Sequence, residues 1–135
     1  MAMNGIGVFI PIVAAYDKTN EKFGVYFFDG AGARFENGEY ACAGSGSERI
    51  RGVFEFLRRT EGSFENRSLD QVVENGLQML DIASTLDSAT GGFTRINPIV
   101  RVLAKDGNKA LDEKDLKKAV DKVLKAAKQL RNSTL

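Results

Sequence analysis

Phe23-Gly24-Val25-Tyr26-Phe27-Phe28-Asp29 reads as a β-strand, and it has no polar face. One side carries Phe23, Val25 and Phe27, and the other carries Gly24, Tyr26 and Phe28. Successive side chains of a strand point to opposite sides of its sheet, so both sides of this strand call for cover. Val8 to Tyr16, the stretch before it, shows the same two-sided apolar pattern, with Pro11 suiting an edge or a bulge. Asp17-Lys18-Thr19-Asn20 is the turn between the two strands, and Gly30-Ala31-Gly32 is the turn after the second. Ala33 to Glu36 and Glu39 to Ala43 are expected to be short strands around Asn37-Gly38, a strong hairpin signal.

Helical signals follow. Ser47 is expected to cap a helix that carries Ile50, Val53, Phe54 and Leu57 on one face and runs to about Arg59. Ser68 and Gln71 have capping-box spacing at the start of a second helix, Leu69 to about Leu86. That helix is expected to bury Val73, Leu77 and Leu80, with Gly76 allowing close packing. Pro98 to Ala104 reads as a buried strand lying in the same sheet as Val8 to Tyr16 and Phe23 to Asp29. Asp106-Gly107 is a hairpin turn, with Lys109 to Leu111 as the returning strand. Asp112 can cap a last helix whose Leu116, Val120, Val123, Leu124, Ala127 and Leu130 form one apolar stripe.

Four strands, two helices, two strands and a helix describe an α+β domain with antiparallel sheet, and residues 1–135 read as one domain. Three helices with single apolar stripes cover one face of the sheet. The other face calls for a second sheet, which these residues do not supply.

Composition narrows the chemistry. The 135 residues hold no histidine and one cysteine, Cys42. Ser-His-Asp, Cys-His and histidine-metal sites all need an imidazole, and a single thiol makes neither a disulfide nor a zinc site. No metal or organic cofactor is implied. A lone thiol fits the reducing cytosol, Met1 to Ile10 lacks the basic start of a secretory signal, and no apolar run is long enough to span a bilayer. A cytoplasmic protein with no membrane partner is therefore expected. Net charge is +1, with 19 basic and 18 acidic residues, so nothing points to nucleic acid. Glu113 to Arg131 carries seven basic and three acidic side chains, a local +4 that leaves −3 for the rest. A solvated helix face accounts for it.

Asp87-Ser88-Ala89-Thr90-Gly91-Gly92 is the best candidate for a site. A carboxylate just past a helix C-terminus faces the negative end of the helix dipole, against the local preference. Two hydroxyls and two glycines follow, and glycines admit sharp turns or close approach. An ordinary helix-ending turn is the simpler reading of the same residues, with Gly91 in a left-handed conformation.

Three stretches in order resemble a β-type proteasome subunit, the actinobacterial form above all. They are Gly44-Ser45-Gly46-Ser47 opening a helix with Gly52-Val53 inside it, Asp87 to Gly92 after the next helix, and Asn97-Pro98-Ile99-Val100 leading to Lys105-Asp106-Gly107. The resemblance runs from about Ile12 to about Ala119 and covers the second half of such a subunit. It implies half of a four-layer αββα N-terminal-nucleophile hydrolase sandwich, in which an N-terminal threonine attacks the peptide carbonyl and its own α-amino group is the base.

Family positions matching Ser45, Asp87 and Thr90 lie beside that threonine in supporting roles. The threonine itself belongs to the first half, removing Met1 would expose Ala2, and Thr19 is internal. The resemblance thus implies the support shell of a threonine peptidase without its nucleophile. It also implies a peptide or unfolded-protein substrate, an N-terminal half carried either by a second chain or by a longer subunit of which this is a fragment, and a ring-type oligomer. A catalytically inactive module that self-associates through its exposed sheet is the alternative. Cys42, alternating with Tyr40, reads as a small core residue and not as a substitute nucleophile.

Overall fold

The computed structural model describes residues 10–28, 34–36 and 39–133. Strands β1 (Ile12–Asp17), β2 (Lys22–Phe28) and β3 (Arg34–Glu36) form an antiparallel sheet in that order. Helices α1 (Ser47–Glu61) and α2 (Leu69–Leu86) follow, then the hairpin β4 (Arg101–Ala104) and β5 (Gly107–Ala110), then α3 (Glu113–Ser133). The α+β class with antiparallel sheets and flanking helices is what the residue pattern implies.

Register bears out the two-sided reading of the first sheet. Ile12 pairs with Phe27, Ala14 with Val25 and Tyr16 with Phe23, while Val13 pairs with Tyr26 and Ala15 with Gly24. Directly paired residues share a face, so one face holds Ile12, Tyr16, Phe23 and Phe27 and the other holds Val13 and Tyr26. Phe23 is 46% exposed on the first face and Val13 is 42% exposed on the second. The Arg51 guanidinium lies 5.9 Å from the Phe27 ring centroid, placing α1 on the first side. At the β1–β2 turn, Asp17 Oδ1 accepts the Thr19 and Asn20 N–H groups, which holds the four-residue connection closed.

The core lies between the helices and the segment that enters α1. Cys42, Ile50, Met79 and Ala83 are buried together, with Tyr40, Val53, Phe54, Leu57 and Ile82 packed around them. Tyr40 stacks on Phe54 at 5.1 Å, and Phe64 meets both rings edge-on. Leu77, on the middle helix, is 1% exposed, and Val123 of α3 is buried as well. Burial of a leucine side chain contributes about 1.5–3 kcal/mol. α2 packs against both other helices and carries the largest share of this core.

Two caps expected from the sequence are formed. Ser68 Oγ accepts the Gln71 N–H while the Gln71 side chain accepts the Ser68 N–H, a complete capping box. Asp112 Oδ1 accepts the Lys114 N–H at the start of α3.

Several local expectations are corrected. Pro98 to Ala104 does not join the first sheet. Only Arg101–Ala104 is strand, and among the described residues it pairs with β5 alone, around the two-residue loop Lys105-Asp106, with Gly107 at φ +146° just after it. The Val100 carbonyl accepts the Leu111 N–H, so it prolongs the hairpin, and Ile99 is 88% exposed. β4 nonetheless lies beside β1.

Glu39 to Ala43 is irregular. Its alternation of Tyr40 and Cys42 toward the core survives, but the Cys42 carbonyl accepts from the Arg51 guanidinium. The Asn37-Gly38 turn lies outside the described residues. Gly46, not Ser47, occupies the N-cap of α1, and Ser47 is its first helical residue. The helix continues to Glu61 and stops at Gly62, whose φ of +89° suits glycine.

On α2, Met79 and Ala83 are buried where Leu80 was expected; Leu80 is 40% exposed, and Gly76 has no close neighbour for a Cβ to meet. Leu130, at the end of the α3 stripe, is exposed.

Candidate functional site

α2 ends where its last amide is satisfied. The Asp87 N–H donates to the Ala83 carbonyl at 2.8 Å, and Asp87 itself is extended, with φ −129° and ψ 115°. The chain then turns, and the Thr90 N–H donates to the Asp87 carbonyl. From the other side, Gly44, at φ +101°, turns the chain into Ser45-Gly46 and the first turn of α1. That conformation is open to glycine and strained for other residues.

These two turns bring the three residues singled out from sequence together. Asp87 Oδ2 accepts the Ser45 hydroxyl at 2.6 Å and the Thr90 hydroxyl at 2.7 Å. Asp87 Oδ1 accepts the Ala89 N–H at 3.4 Å. Ser45 and Asp87 are 42 residues apart in the chain. Asp87 and Thr90 are half-buried and Ser45 is exposed, so the cluster opens to solvent at the junction of α1 and α2.

Electrostatics follow from the donors. The Ser45 hydroxyl, then the Thr90 hydroxyl, hold the Asp87 carboxyl below the usual aspartate range, with smaller help from the Ala89 N–H and the Arg49 charge; burial opposes them. These hydrogen bonds favour the ionised carboxylate, which serves as acceptor for both hydroxyls. With their protons committed to Asp87, the two hydroxyl oxygens keep lone pairs that can accept from a further donor. The cluster as a whole is anionic and rich in acceptors, an arrangement that suits an amine or ammonium donor.

Gly91 and Gly92 do not have left-handed φ angles, so neither the helix-ending turn nor the site depends on them for that conformation. Cys42 is buried, and burial raises its thiol above the ordinary range, opposing formation of the nucleophilic thiolate. Its place in the core agrees with the reading as a packing residue. Among the described residues, no group of three or more His, Cys, Asp or Glu side chains gathers as a metal site would require.

Two supporting features were not read from sequence. Tyr40 donates to Glu55 Oε2 at 2.8 Å, and Glu55 also accepts from Arg58 at 2.5 Å and Arg59 at 3.1 Å. Arg58, Tyr40 and Arg59 together pull the Glu55 carboxyl down to about 2. This cluster fixes the segment that leads to Gly44. The Glu55-Arg58-Arg59 spacing was legible as a helical ion pair, but its tie to Tyr40 was not. Gly46 is the second feature, buried against Asp87 and Thr90.

An α+β chain with helix-flanked antiparallel sheets and a carboxylate clamped by two hydroxyls at a helix junction agrees with the N-terminal-nucleophile hydrolase class. The proteasome subunit family model matches residues 3–99, and the chain belongs to that family. It is similar to the "Proteasome subunit beta" of Streptomyces griseus, 39% identical over 118 residues that cover 85% of this chain and 40% of the relative. It is likewise similar to the proteins of that name from Streptosporangium roseum, at 35% over 92% of this chain and 43% of the relative, and Parafrankia sp., at 32% over 92% and 44%. The chain thus spans less than half the length of these curated relatives. No described helix is long and apolar enough to cross a membrane.

Proposed function

We propose that this chain is a component of a proteasome-like threonine peptidase complex in the cytoplasm, in which Ser45, Asp87 and Thr90 support a nucleophile carried by the N-terminal half of the subunit, on the same longer polypeptide or on a partner chain. The observation that carries this reading is the convergence of the Ser45 and Thr90 hydroxyls on Asp87 Oδ2, at 2.6 and 2.7 Å, the first of them across 42 residues of sequence. Their remaining acceptor capacity suits the α-amino group of an N-terminal threonine, which must be held near the hydroxyl it activates. Substrates are peptides or unfolded proteins. The N-terminal half of the subunit, in either arrangement, covers the exposed faces of the β1–β2 sheet, and the assembled units build a ring-type oligomer.

A catalytically inactive module that pairs with a second copy through the same sheet is favoured by one observation, the exposure of Val13 and Phe23 on opposite faces. Native mass spectrometry of the complex purified from its own cells separates the two readings. A second, different polypeptide with threonine at its N-terminus is expected. Two copies of this chain and nothing else would favour the inactive module.

A further inference from the structure

Gly46 occupies a position where backbone geometry does not ask for glycine. Its φ of −84° and ψ of −3° are ordinary right-handed values that any residue adopts. Space is what asks for it. A Cβ at position 46 would lie 3.0 Å from Thr90 Oγ1, 3.1 Å from the Ala83 Cβ and 3.5 Å from Asp87 Oδ2. The first two approaches are tighter than ordinary van der Waals contact, and Ala83 is buried on the rigid body of α2, with no free rotor to swing away. Gly91 gives the contrast. A Cβ there would meet Ile96 Cδ1 at 2.6 Å, but that atom is the free end of an exposed side chain.

We infer that Gly46 is a positioning residue for the Ser45–Asp87–Thr90 site, setting by its missing side chain how closely the start of α1 approaches the end of α2. Ser45 is its immediate neighbour, so any outward step of position 46 is transmitted directly to the 2.6 Å bond between Ser45 and Asp87. Thr90 is pressed from the same side, and its hydroxyl is the second donor to that oxygen. A single methyl group at position 46 therefore loosens both bonds, although neither partner has changed. The inference deepens the proposed role of the cluster and rests on it for its meaning, but its geometry is tested without any peptidase activity.

The test is a carbon-13 NMR titration of the Asp87 side-chain carboxyl in the wild-type chain, Gly46→Ala and Gly91→Ala, with thermal unfolding of each. Loss of the two hydroxyl donors favours the protonated carboxyl, so the Gly46→Ala titration moves up toward the ordinary aspartate value, while Gly91→Ala titrates as wild type. A purely structural glycine would lower the unfolding midpoint and leave the Asp87 titration in place, and that result would overturn the inference. Should Gly46→Ala fold too poorly to titrate, it is placed in a Thr90→Ala background, which removes the hydroxyl at 3.0 Å. The unfolding midpoint then falls less on adding Gly46→Ala than it does with Thr90 present; an equal fall in both backgrounds would show that position 46 does not act on Thr90. Failure of either arm leaves the wild-type Ser45–Asp87–Thr90 cluster untouched, so it is distinguishable from failure of the proposed function.

Discussion

The junction of α1 and α2 and the sheet of β1 and β2 are opposite kinds of structure within one chain. Around these two helices polar groups satisfy one another: at the junction Asp87 takes two hydroxyls, along α1 Glu55 takes Tyr40 and two arginines, and at the α1–α2 connection Arg67 donates to Asn75, the Leu57 carbonyl and the Gly62 carbonyl. On the sheet, Ile12, Val13 and Phe23 remain substantially exposed, with no polar face to justify it. A region that satisfies itself is built to present a finished surface. A region that leaves aromatic and β-branched side chains in water is built to be covered. In the proposed complex the site shell comes prearranged in these residues, and the sheet is covered by the half of the subunit that uses it.

Substitutions that act on one region and spare the other put this contrast at risk. The largest effect is expected from Asp87→Asn in the assembled complex. Loss of the carboxylate that orients Ser45 and Thr90 lowers kcat by roughly 10²–10⁴-fold, the range for a misplaced acid–base arrangement, while the melting temperature of the isolated chain stays nearly constant. Steady-state kinetics and thermal unfolding on the same preparations check both halves of that statement. A large fall in stability with little change in kcat would make Asp87 a structural staple.

Next in size is Leu77→Ala, which opens the core of α2 and costs about 2–5 kcal/mol in denaturant unfolding. Val13→Ala on the sheet changes the stability of the isolated chain by about 1 kcal/mol or less, because its side chain is only partly covered, yet weakens association measured by analytical ultracentrifugation. Ser68→Ala removes one arm of the capping box and costs about 1 kcal/mol, leaving association unchanged.

The smallest expected effect is one of pH. Asp87 and Glu55 both titrate lower in the folded chain than their ordinary values, so the unfolded chain binds more protons in the acid range. Their stabilisation is complete above about pH 5, where the unfolded carboxylates are ionised, and is lost progressively as pH falls through about 4 toward about 2, the value of Glu55. Urea titrations across that window should show the wild type losing more stability than Glu55→Gln.

The parts legible in sequence were those governed by local rules. The apolar pairs of β1 and β2, the capping box at Ser68 and the Asp112 cap depend on residues a few positions apart, and they form as their spacing implies. Asp87 stood out because a carboxylate past a helix C-terminus opposes the dipole, and the Ser45 and Thr90 hydroxyls offset that opposition. What sequence could not carry was tertiary choice. The sheet in which β4 pairs depends on Val100 and Leu111 closing a hairpin, and the exposure of Leu80 depends on which side of α2 meets α1 and α3. The Tyr40–Glu55 tie and the crowding at Gly46 join residues 15 and 44 positions apart, beyond any periodic pattern.

Peptide hydrolysis by the purified chain, alone and mixed with a polypeptide that begins at threonine and carries the N-terminal half of the subunit, tests the central claim most directly. With its only cysteine buried and no histidine in the sequence, the chain alone should cleave no fluorogenic peptide, and turnover should appear on mixing and vanish again with Asp87→Asn. Turnover by the chain alone, abolished by Cys42→Ala, would contradict the account and move the nucleophile into this polypeptide.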